Sequence, residues 1–289
     1  MIADAPIADG GWNSSCYQAM EDAAKECGFE TASTENVAQT DFTNMFRQYA
    51  EMGFHIIFAP GNEFTDAVKE VAPEFPDTSF ILLNGAVEDV DNITNVMPDS
   101  TEIGYMAGAL AGLATKTNHV GFIGGMEIDT TRSKLEGYEA AAKKVNPGVE
   151  VSSAMAGSYS DTAKGKEIAS SMVTANDVDI LFGDASAVDT GAIEGLKEHE
   201  GRYQIGQPSD MTSNDPDIII CSVVTDNAAL LKICMEDYKK GDFGKRTVMG
   251  NLANGCLSVG TFGNNLPGEV QDEYMKVIEE IKAETFITK

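Results

Sequence analysis

Short runs of β-branched and aromatic residues alternate with helix-length amphipathic segments along the whole chain, and this alternation limits its fold more than any other feature. Strands that alternate with helices are typical of parallel α/β architecture, in which helices cover the faces of a sheet. The pattern predicts strands at residues 1–4, 29–33, 55–59, 79–83, 93–97, 120–123, 149–155, 178–182, 203–205 and 218–224. It predicts helices at residues 14–27, 41–52, 64–71, 101–115, 131–145, 161–174, 188–198, 227–239 and 270–281.

The chain reads as two similar α/β halves. A polar segment, residues 115–119, leads into a fresh strand and glycine turn at residues 120–125. Glycines at a strand-to-helix turn are also found in phosphate cradles, but this turn lacks both the G-x-G-x-x-G spacing and a P-loop lysine, so we favour a tight turn. The expected division is a first lobe of residues 1–116 plus about 226–262, a second lobe of residues 117–225, and a C-terminal tail of residues 263–289 that docks at the hinge or on either lobe.

The charge balance excludes some classes of partner. Acidic residues outnumber basic ones 46 to 20, which gives a net charge of −26. No lysine or arginine run could follow a phosphate backbone, so we expect no nucleic-acid partner. The chain has few arginines to hold a strongly anionic ligand, and a neutral or cationic small molecule suits its electrostatic field better.

The sequence carries no signature of a metal site or of covalent catalysis. The histidines are His55, His119 and His199, and they form no H-x-x-H or Cys/His cluster. There is no G-x-S-x-G motif. We therefore expect no metal, no cofactor and no enzymatic activity.

Polar side chains follow several predicted strands at the point where each strand ends. Asp4 ends the first strand, Asp184 and Ser186 follow the strand at 178–182, and Gln207 and Asp210 follow the strand at 203–205. Ligands of open parallel sheets bind outside the carboxyl ends of the strands. Two such sheets facing each other would place these residues in one cleft, which closes around a small molecule by a hinge motion.

Trp12 is the only tryptophan of the chain, and it lies in a glycine turn at residues 9–14. Its ring either plugs the base of the turn or offers a face to a ligand. The neighbouring Asn13 likewise has two interpretations, as a ligand contact or as the N-cap of a helix that begins at Ser14.

Several motifs, in order along the chain, resemble the basic membrane protein family, the substrate-binding proteins of ABC transporters that include the purine nucleoside receptor lipoproteins. Asp4 with residues 11–13 resembles the family's opening T-D…S-F-N, and Glu102 with residues 104–108 resembles E-G-S-F-L-A-G. Residues 120–125 match V-G-F-I-G-G, and residues 157–167 resemble G-S-F-N-D-P-A-K-G-K-E. The resemblance extends from Asp4 to about residue 225, with a looser tail.

This resemblance implies a type I periplasmic-binding-protein fold, with two doubly wound parallel-sheet lobes joined by a multi-strand hinge and the ligand buried between them. The family's base-stacking aromatic residues correspond to Trp12 and Tyr159, one from each lobe. Two aromatic faces that close on a planar ring contribute about 1–3 kcal/mol per stacked base.

The resemblance also implies polar contacts. Asp4 and Asn13 correspond to residues that bind the purine edge, Glu102 lies near an acidic contact, and Ala185 or Ser186 lies in the glycine-rich loop beside the ligand. An ionised Asp4 only accepts hydrogen bonds, so it favours a ligand edge that presents N–H donors. Asn13 both donates and accepts.

The chain departs from the family where the sugar binds. Residues 206–210 read G-Q-P-S-D where the family often has G-V-D-S-D, and Thr225 stands where the family has the lysine of S-M-V-K. A carboxylate paired with ribose hydroxyls forms strong charge-assisted bonds, and Pro208 forms none. The alternatives are that Asp184, Gln207 or Asp210 takes over the sugar, that the ligand is a free base, or that it is a different heterocycle.

The resulting hypothesis is a monomeric, extracytoplasmic substrate-binding protein of an ABC importer, which binds a purine nucleoside or nucleobase and delivers it to a membrane permease. No apolar run reaches the roughly 20 residues that cross a bilayer. We expect a cell-surface lipoprotein or a periplasmic protein whose leader or anchor is absent from this chain. The alternatives are a nucleoside-metabolising enzyme that uses Asp4 or Glu102 as general acid or base, and a ligand sensor with the same fold but no transport role.

Overall fold

The computed structural model describes residues 1–8 and 12–287 and confirms the predicted helices, with ends displaced by a few residues. The helices form from short amphipathic segments. Three of them begin after an aspartate N-cap whose side chain accepts a backbone N–H, namely Asp99, Asp161 and Asp226. The helices are α1 (Trp12–Cys27), α2 (Phe42–Glu51), α3 (Thr65–Val71), α4 (Ser100–Ala114), α5 (Asp129–Val145), α6 (Thr162–Asn176), α7 (Ala187–Leu196), α8 (Asn227–Lys240) and α9 (Gly268–Lys282).

The strands of the described residues form two sheets, which are parallel apart from one edge strand. The strands are β1 (Ile56–Ala59), β2 (Ser79–Leu83), β3 (Ile93–Pro98), β4 (His119–Gly124), β5 (Glu150–Met155), β6 (Ile180–Asp184), β7 (Tyr203–Gly206), β8 (Ile219–Thr225), β9 (Arg246–Gly250) and β10 (Leu257–Val259). The first sheet has the order β1-β2-β3-β9, and the second has the order β10-β8-β7-β6-β4-β5. Only β10 runs antiparallel to its neighbour, β8.

Two of the predicted strands are not strands in the structure, and two observed strands were not predicted. Residues 1–4 form only a single bridge, from Ile2 to Thr34, which directly follows the predicted strand at 29–33. Their pairing stays local because residues 29–33 hold one aromatic residue among small and charged ones. The unpredicted β9 and β10 each lie at the edge of a sheet, and such short, half-exposed strands carry little hydrophobic pattern.

The chain divides into two compact units, with boundaries that differ from the expected ones. The first unit comprises residues 1–98 and 226–250, and the second comprises residues 99–225 and 251–289, so the chain passes between them three times. Helix α4, which we expected in the first lobe, belongs to the second unit because it packs closely on α5. Gly104 and Gly108 of α4 lie directly against the backbone carbonyls of Lys134 and Tyr138, where a side chain would not fit.

Alternate residues of each strand point to opposite faces of the sheet, and helices pack on both faces of the second sheet. In the second sheet, Phe122 and Phe182 pack against Tyr138 of α5, with ring centroids 5.8 to 6.0 Å apart. Ile123 and Leu181 pack on the other face, against α6 and α7. In the first sheet, a core built on buried phenylalanines of α2 and β2 covers one face. These cores fix the strands whose carboxyl ends carry the polar residues.

No helix within residues 1–8 and 12–287 has the length and apolar character needed to cross a bilayer.

Candidate functional site

In the first unit, the structure brings Asp4, Trp12 and Asn13 together at the carboxyl edge of the sheet. The Ile2 backbone N–H lies 3.4 Å from the carbonyl of Phe58 in β1, so Asp4 leaves the sheet at the end where β1 finishes. The side-chain amide of the buried Asn13 donates to Asp4 Oδ1 at 3.1 Å. Asp4 itself is exposed, and a carboxylate has several acceptor positions beside the one used by Asn13.

Trp12 is tied to the same edge. Its indole Nε1 donates to the carbonyl of Pro60, which directly follows β1, at 2.6 Å, while its ring remains partly exposed. Helix α1 begins at Trp12, so Asn13 lies in its first turn and the interpretation of Asn13 as the N-cap of a helix starting at Ser14 is wrong. Residues 9–11 of the glycine turn lie outside the described residues.

Glu63 adds a second carboxylate to this edge, and the sequence did not single it out. Its side chain lies against Gly61. The pKa of Glu63 is raised, first because neighbouring atoms partly desolvate its carboxyl and also because the negative charge of Asp4 is close, although a backbone hydrogen bond opposes the rise. Asp4 and Glu63 make this edge acidic, which favours a ligand that presents donors or positive charge.

In the second unit, Tyr159 lies over the glycine turn that follows β4. Its ring occupies the space that a side chain at Gly125 would need. The ring is 43% exposed, and the pKa of its hydroxyl is raised by burial and by the nearby charge of Asp184. The Gly125 backbone N–H already donates to the carbonyl of Asp184 at 3.0 Å, so this turn makes room for an aromatic ring and is not a phosphate cradle.

Asp184, the last residue of β6, is the centre of a polar network. Its Oδ1 accepts hydrogen bonds from Lys134 Nζ at 2.6 Å and Gln207 Nε2 at 3.0 Å, and its Oδ2 accepts one from Thr131 Oγ1 at 2.9 Å. Gln207 Nε2 also donates to the carbonyl of Gly183 at 2.6 Å. The side chains of Lys134 and Asp184 are only 15% and 14% exposed. This network is therefore built into the carboxyl edge of the sheet.

Lys134 and Thr131 were not predicted as site residues. They lie three residues apart on α5, and that spacing places two side chains on the same helix face. The spacing was the only available signal, because the charge of Lys134 by itself reads as part of a solvated helix surface.

Ser186 lies in the turn between β6 and α7, with a left-handed φ of 56°. Asp189 stabilises this turn with two hydrogen bonds. Its Oδ2 accepts the Ala185 N–H at 2.8 Å, and its backbone N–H donates to the Ser186 carbonyl at 3.0 Å. Burial raises the pKa of Asp189 to about 7, with a further rise from Asp184 that is opposed by the Ala185 N–H and by Lys134. The turn keeps Ser186 exposed at the sheet edge.

Asp210 and Thr225 are occupied by contacts within the second unit. Asp210 Oδ2 accepts from the backbone N–H of Thr261 at 2.9 Å and from its hydroxyl at 2.6 Å, while Oδ1 accepts from the Thr212 N–H at 3.3 Å. Burial alone would raise the pKa of Asp210, but these bonds outweigh it and lower the pKa. The Thr225 N–H donates to the carbonyl of Pro208 at 2.7 Å.

Glu102 ties the start of α4 to the segment that precedes β10. Its Oε1 accepts the Leu252 N–H at 3.0 Å, and its own N–H donates to Asp99 Oδ1 at 3.0 Å. Burial raises the pKa of Glu102 to about 7. The charges of Asp99 and Glu284 contribute to this rise, while the Leu252 hydrogen bond opposes it.

The predicted residues thus fall into two groups, one in each unit. Asp4, Trp12 and Asn13 form the first group; Tyr159, Asp184, Ser186 and Gln207 lie at the carboxyl edge of the second sheet, and Pro208 connects them along the chain to the region of Asp210 and Thr225. Among the described residues, no cluster of histidine, cysteine, aspartate or glutamate could hold a metal ion.

Comparison with known proteins points to one family. The family described as ABC transporter substrate-binding protein, PnrA-like, matches residues 1–289. The chain is 28% identical to the ABC transporter nucleoside-binding protein BmpA of Lactococcus lactis, over 95% of this chain and 84% of that protein. It is also 28% identical to basic membrane protein D of Borreliella burgdorferi, over 96% of this chain and 83% of that one.

Among solved structures, the chain resembles an ABC transporter solute-binding protein from Aeropyrum pernix. The TM-score is 0.81, with 19% identity over 99% of this chain and 90% of the other. This likeness supports the periplasmic-binding type of α/β fold that the sequence predicted. With the family match over its whole length, the chain belongs to the basic membrane protein family, the PnrA-like substrate-binding proteins of ABC transporters.

Proposed function

We propose that this protein is the extracytoplasmic receptor of an ABC importer and that it binds a purine nucleoside or a related planar nitrogenous heterocycle between its two units. The observation that carries the proposal is the group of Trp12, Asn13 and Asp4. A partly exposed indole stands beside a carboxylate whose position is held by an amide. This combination offers both a stacking face and an acceptor for a planar ring that carries N–H donors.

The second unit offers a matching aromatic face. Tyr159 is almost half exposed at the carboxyl edge of its sheet, beside the polar network of Asp184. The proposed ligand stacks between Trp12 and Tyr159 while Asp4 binds its donor edge. The relative in Lactococcus lactis is named as a nucleoside-binding protein, which favours the same ligand class here.

The electrostatic field favours an uncharged ligand over a nucleotide. The net charge is −26, and Asp4 and Glu63 add negative charge beside Trp12. Lys134, a cation at the edge of the second sheet, is already paired with Asp184. A phosphate group would therefore meet electrostatic repulsion.

The expected partner is the membrane permease of the importer, which receives the ligand from the closed form. We propose a monomer that acts outside the cytoplasm, as a cell-surface lipoprotein or in the periplasm.

The proposal is tested by isothermal titration calorimetry with adenosine, guanosine, inosine and the corresponding bases, with cytidine as a control of a smaller ring system. We expect saturable 1:1 binding of at least one purine. Mass spectrometry of small molecules released from the purified protein gives an independent identification. A lack of binding by every purine would overturn the proposal, and so would catalytic turnover of the nucleosides.

A further inference from the structure

We propose that the ligand is a free purine base and that Lys134 and Asp184 read the edge of the base where a nucleoside carries its sugar. This inference rests on the proposed function and narrows its ligand class. Some hydrogen-bonding positions of Lys134 and Asp184 remain open at the carboxyl edge of the second sheet.

The network around Asp184 leaves some donor and acceptor positions of Lys134 and Asp184 unused. Oδ1 accepts from both Lys134 and Gln207, while Oδ2 accepts only from Thr131. A carboxylate oxygen accepts about two hydrogen bonds, so Oδ2 keeps one acceptor position. An ammonium has three donors, and Lys134 Nζ uses one on Asp184 and one on Gln207 Oε1 at 3.4 Å. One donor and one acceptor therefore remain side by side.

One open donor beside one open acceptor is poorly suited to a ribose. Two vicinal hydroxyls are held best by both oxygens of one uncompensated carboxylate, because the bonds are then charge-assisted. Oδ1 of Asp184 is filled, and the charge of this carboxylate is balanced by Lys134. Asp210 Oδ2 is filled by two hydrogen bonds from Thr261, and Oδ1 accepts one from Thr212, so Asp210 does not offer two open oxygens to a diol.

Asp189 does not supply the missing carboxylate. It is 7% exposed and lies under the turn that carries Ser186, and burial favours its protonated form up to about neutral pH. At position 208 the chain has a proline, which has no side-chain acceptor. Asp189 and Asp210 therefore do not present a pair of open carboxylate oxygens to a ribose.

A free purine base fits the open donor of Lys134 and the open acceptor of Asp184. In the tautomer that carries hydrogen on the nitrogen at ring position 9, that nitrogen is a donor and the nitrogen at position 3 is a neighbouring acceptor. The donor matches Asp184 Oδ2 and the acceptor matches Lys134 Nζ. In a nucleoside the position-9 nitrogen carries the sugar and has no hydrogen, so the bond to Asp184 is lost and Oδ2 keeps only its bond from Thr131.

The test compares adenine, guanine and hypoxanthine with their nucleosides and with their 3-deaza analogues by titration calorimetry. In the wild-type protein we expect at least one base to bind about tenfold or more tightly than its nucleoside. We expect its 3-deaza analogue, which lacks the acceptor that faces Lys134, to bind about tenfold more weakly than the base.

The variant Lys134→Gln closes a thermodynamic cycle with the 3-deaza analogue. The loss of affinity on removing the ring nitrogen should shrink to less than about threefold in this variant. The reason is that a neutral amide on a shorter side chain replaces the ammonium that donates to this nitrogen. The ratio is measured within one protein, so it is insensitive to a general loss of stability. Lys143→Gln is the matched control, since Lys143 is an exposed lysine of the same helix that pairs with Glu139.

Tighter binding of a nucleoside than of its base would overturn this inference and leave the proposed function standing. A 3-deaza penalty of the same size in wild-type and Lys134→Gln proteins would overturn the role of Lys134. Failure of every base and every nucleoside to bind would overturn the proposed function and this inference with it.

Discussion

Trp12 is held by a hydrogen bond of its own and still offers a face to a ligand, so its structural and functional interpretations are compatible. The bond from its indole N–H to Pro60 holds the ring at the sheet edge, and the ring is still partly exposed. A ring held in place before the ligand arrives loses little side-chain entropy on binding, so more of the stacking energy is realised as affinity.

We therefore expect Trp12→Ala to weaken ligand binding by at least about tenfold, in line with the 1–3 kcal/mol typical of a stacked base. Titration calorimetry measures the change. Trp12→Phe is the matched control, because it retains an aromatic face while losing the hydrogen bond to Pro60. Unchanged affinity in Trp12→Ala would assign the ring a structural role only.

The raised pKa of Glu102 predicts that the stability of the protein depends on pH. Its pKa in the folded protein is about 7, compared with an ordinary value of 4.5. Between these values the unfolded chain has released the proton and the folded protein retains it, so the free energy of unfolding contributed by Glu102 falls as the pH rises through this window. Glu102→Gln keeps an acceptor for the Leu252 N–H and removes the titration.

Relative to the wild type, the Glu102→Gln protein should gain stability between pH 5 and pH 8, as measured by urea unfolding at several pH values. Glu88→Gln, at an exposed position before β3, serves as the control and should leave the pH profile unchanged. An identical pH slope in wild-type and Glu102→Gln proteins would show that the carboxyl group ionises normally.

At the scale of single residues, the sequence singled out side chains that belong to motifs and passed over those whose position depends on tertiary register. Trp12 and Tyr159 were proposed as ligand contacts because they lie beside glycines or match a family motif. Lys134 and Glu63 were not proposed, because a charged residue on a helix or in a turn is usually part of the solvated surface. Only the packing of α5 on the sheet brings Lys134 to the end of β6.

At the scale of elements, α4 shows how three glycines determine a helix contact. Gly104, Gly108 and Gly112 recur every fourth residue, so they lie on one face of the helix, and each faces the backbone or a side chain of α5. The absence of side chains lets the two helix backbones approach closely, which explains why α4 belongs with α5 in the second unit.

Gly108→Ala should destabilise the second unit by about 1–3 kcal/mol or more, because the new methyl group would overlap the carbonyl of Tyr138. Thermal or urea unfolding measures the loss. Gly268→Ala is the control, since no atom lies within 4 Å of the methyl group it would add at the start of α9. Equal stability of the two variants would contradict the close packing of α4 on α5.

The elements themselves were largely predictable because helices and buried strands carry strong periodic patterns. The central strands of both sheets were found, since β2 is buried at every position and reads as a continuous apolar run. The edge strands β9 and β10 were not found, because one alternates exposed and buried residues over five positions and the other has only three. Their pairing is decided by contacts with β3 and β8, which are distant in sequence.

At the scale of the whole molecule, two units of similar construction each present aromatic and polar side chains at the carboxyl edge of a parallel sheet. The first carries Trp12 with Asp4, and the second carries Tyr159 with Asp184. The family assignment and the fold agree with a substrate-binding protein of an ABC transporter. The boundaries of the units were harder to predict than their existence, because the packing of α4 is a tertiary property.

The sole tryptophan makes the central claim directly measurable, since all indole fluorescence of the protein reports on Trp12. We predict that titration with the purine ligand identified by calorimetry changes the emission of Trp12 saturably, with a 1:1 endpoint and the dissociation constant found by calorimetry. Binding that calorimetry detects while Trp12 emission stays unchanged would contradict the stacking of the ligand on this ring.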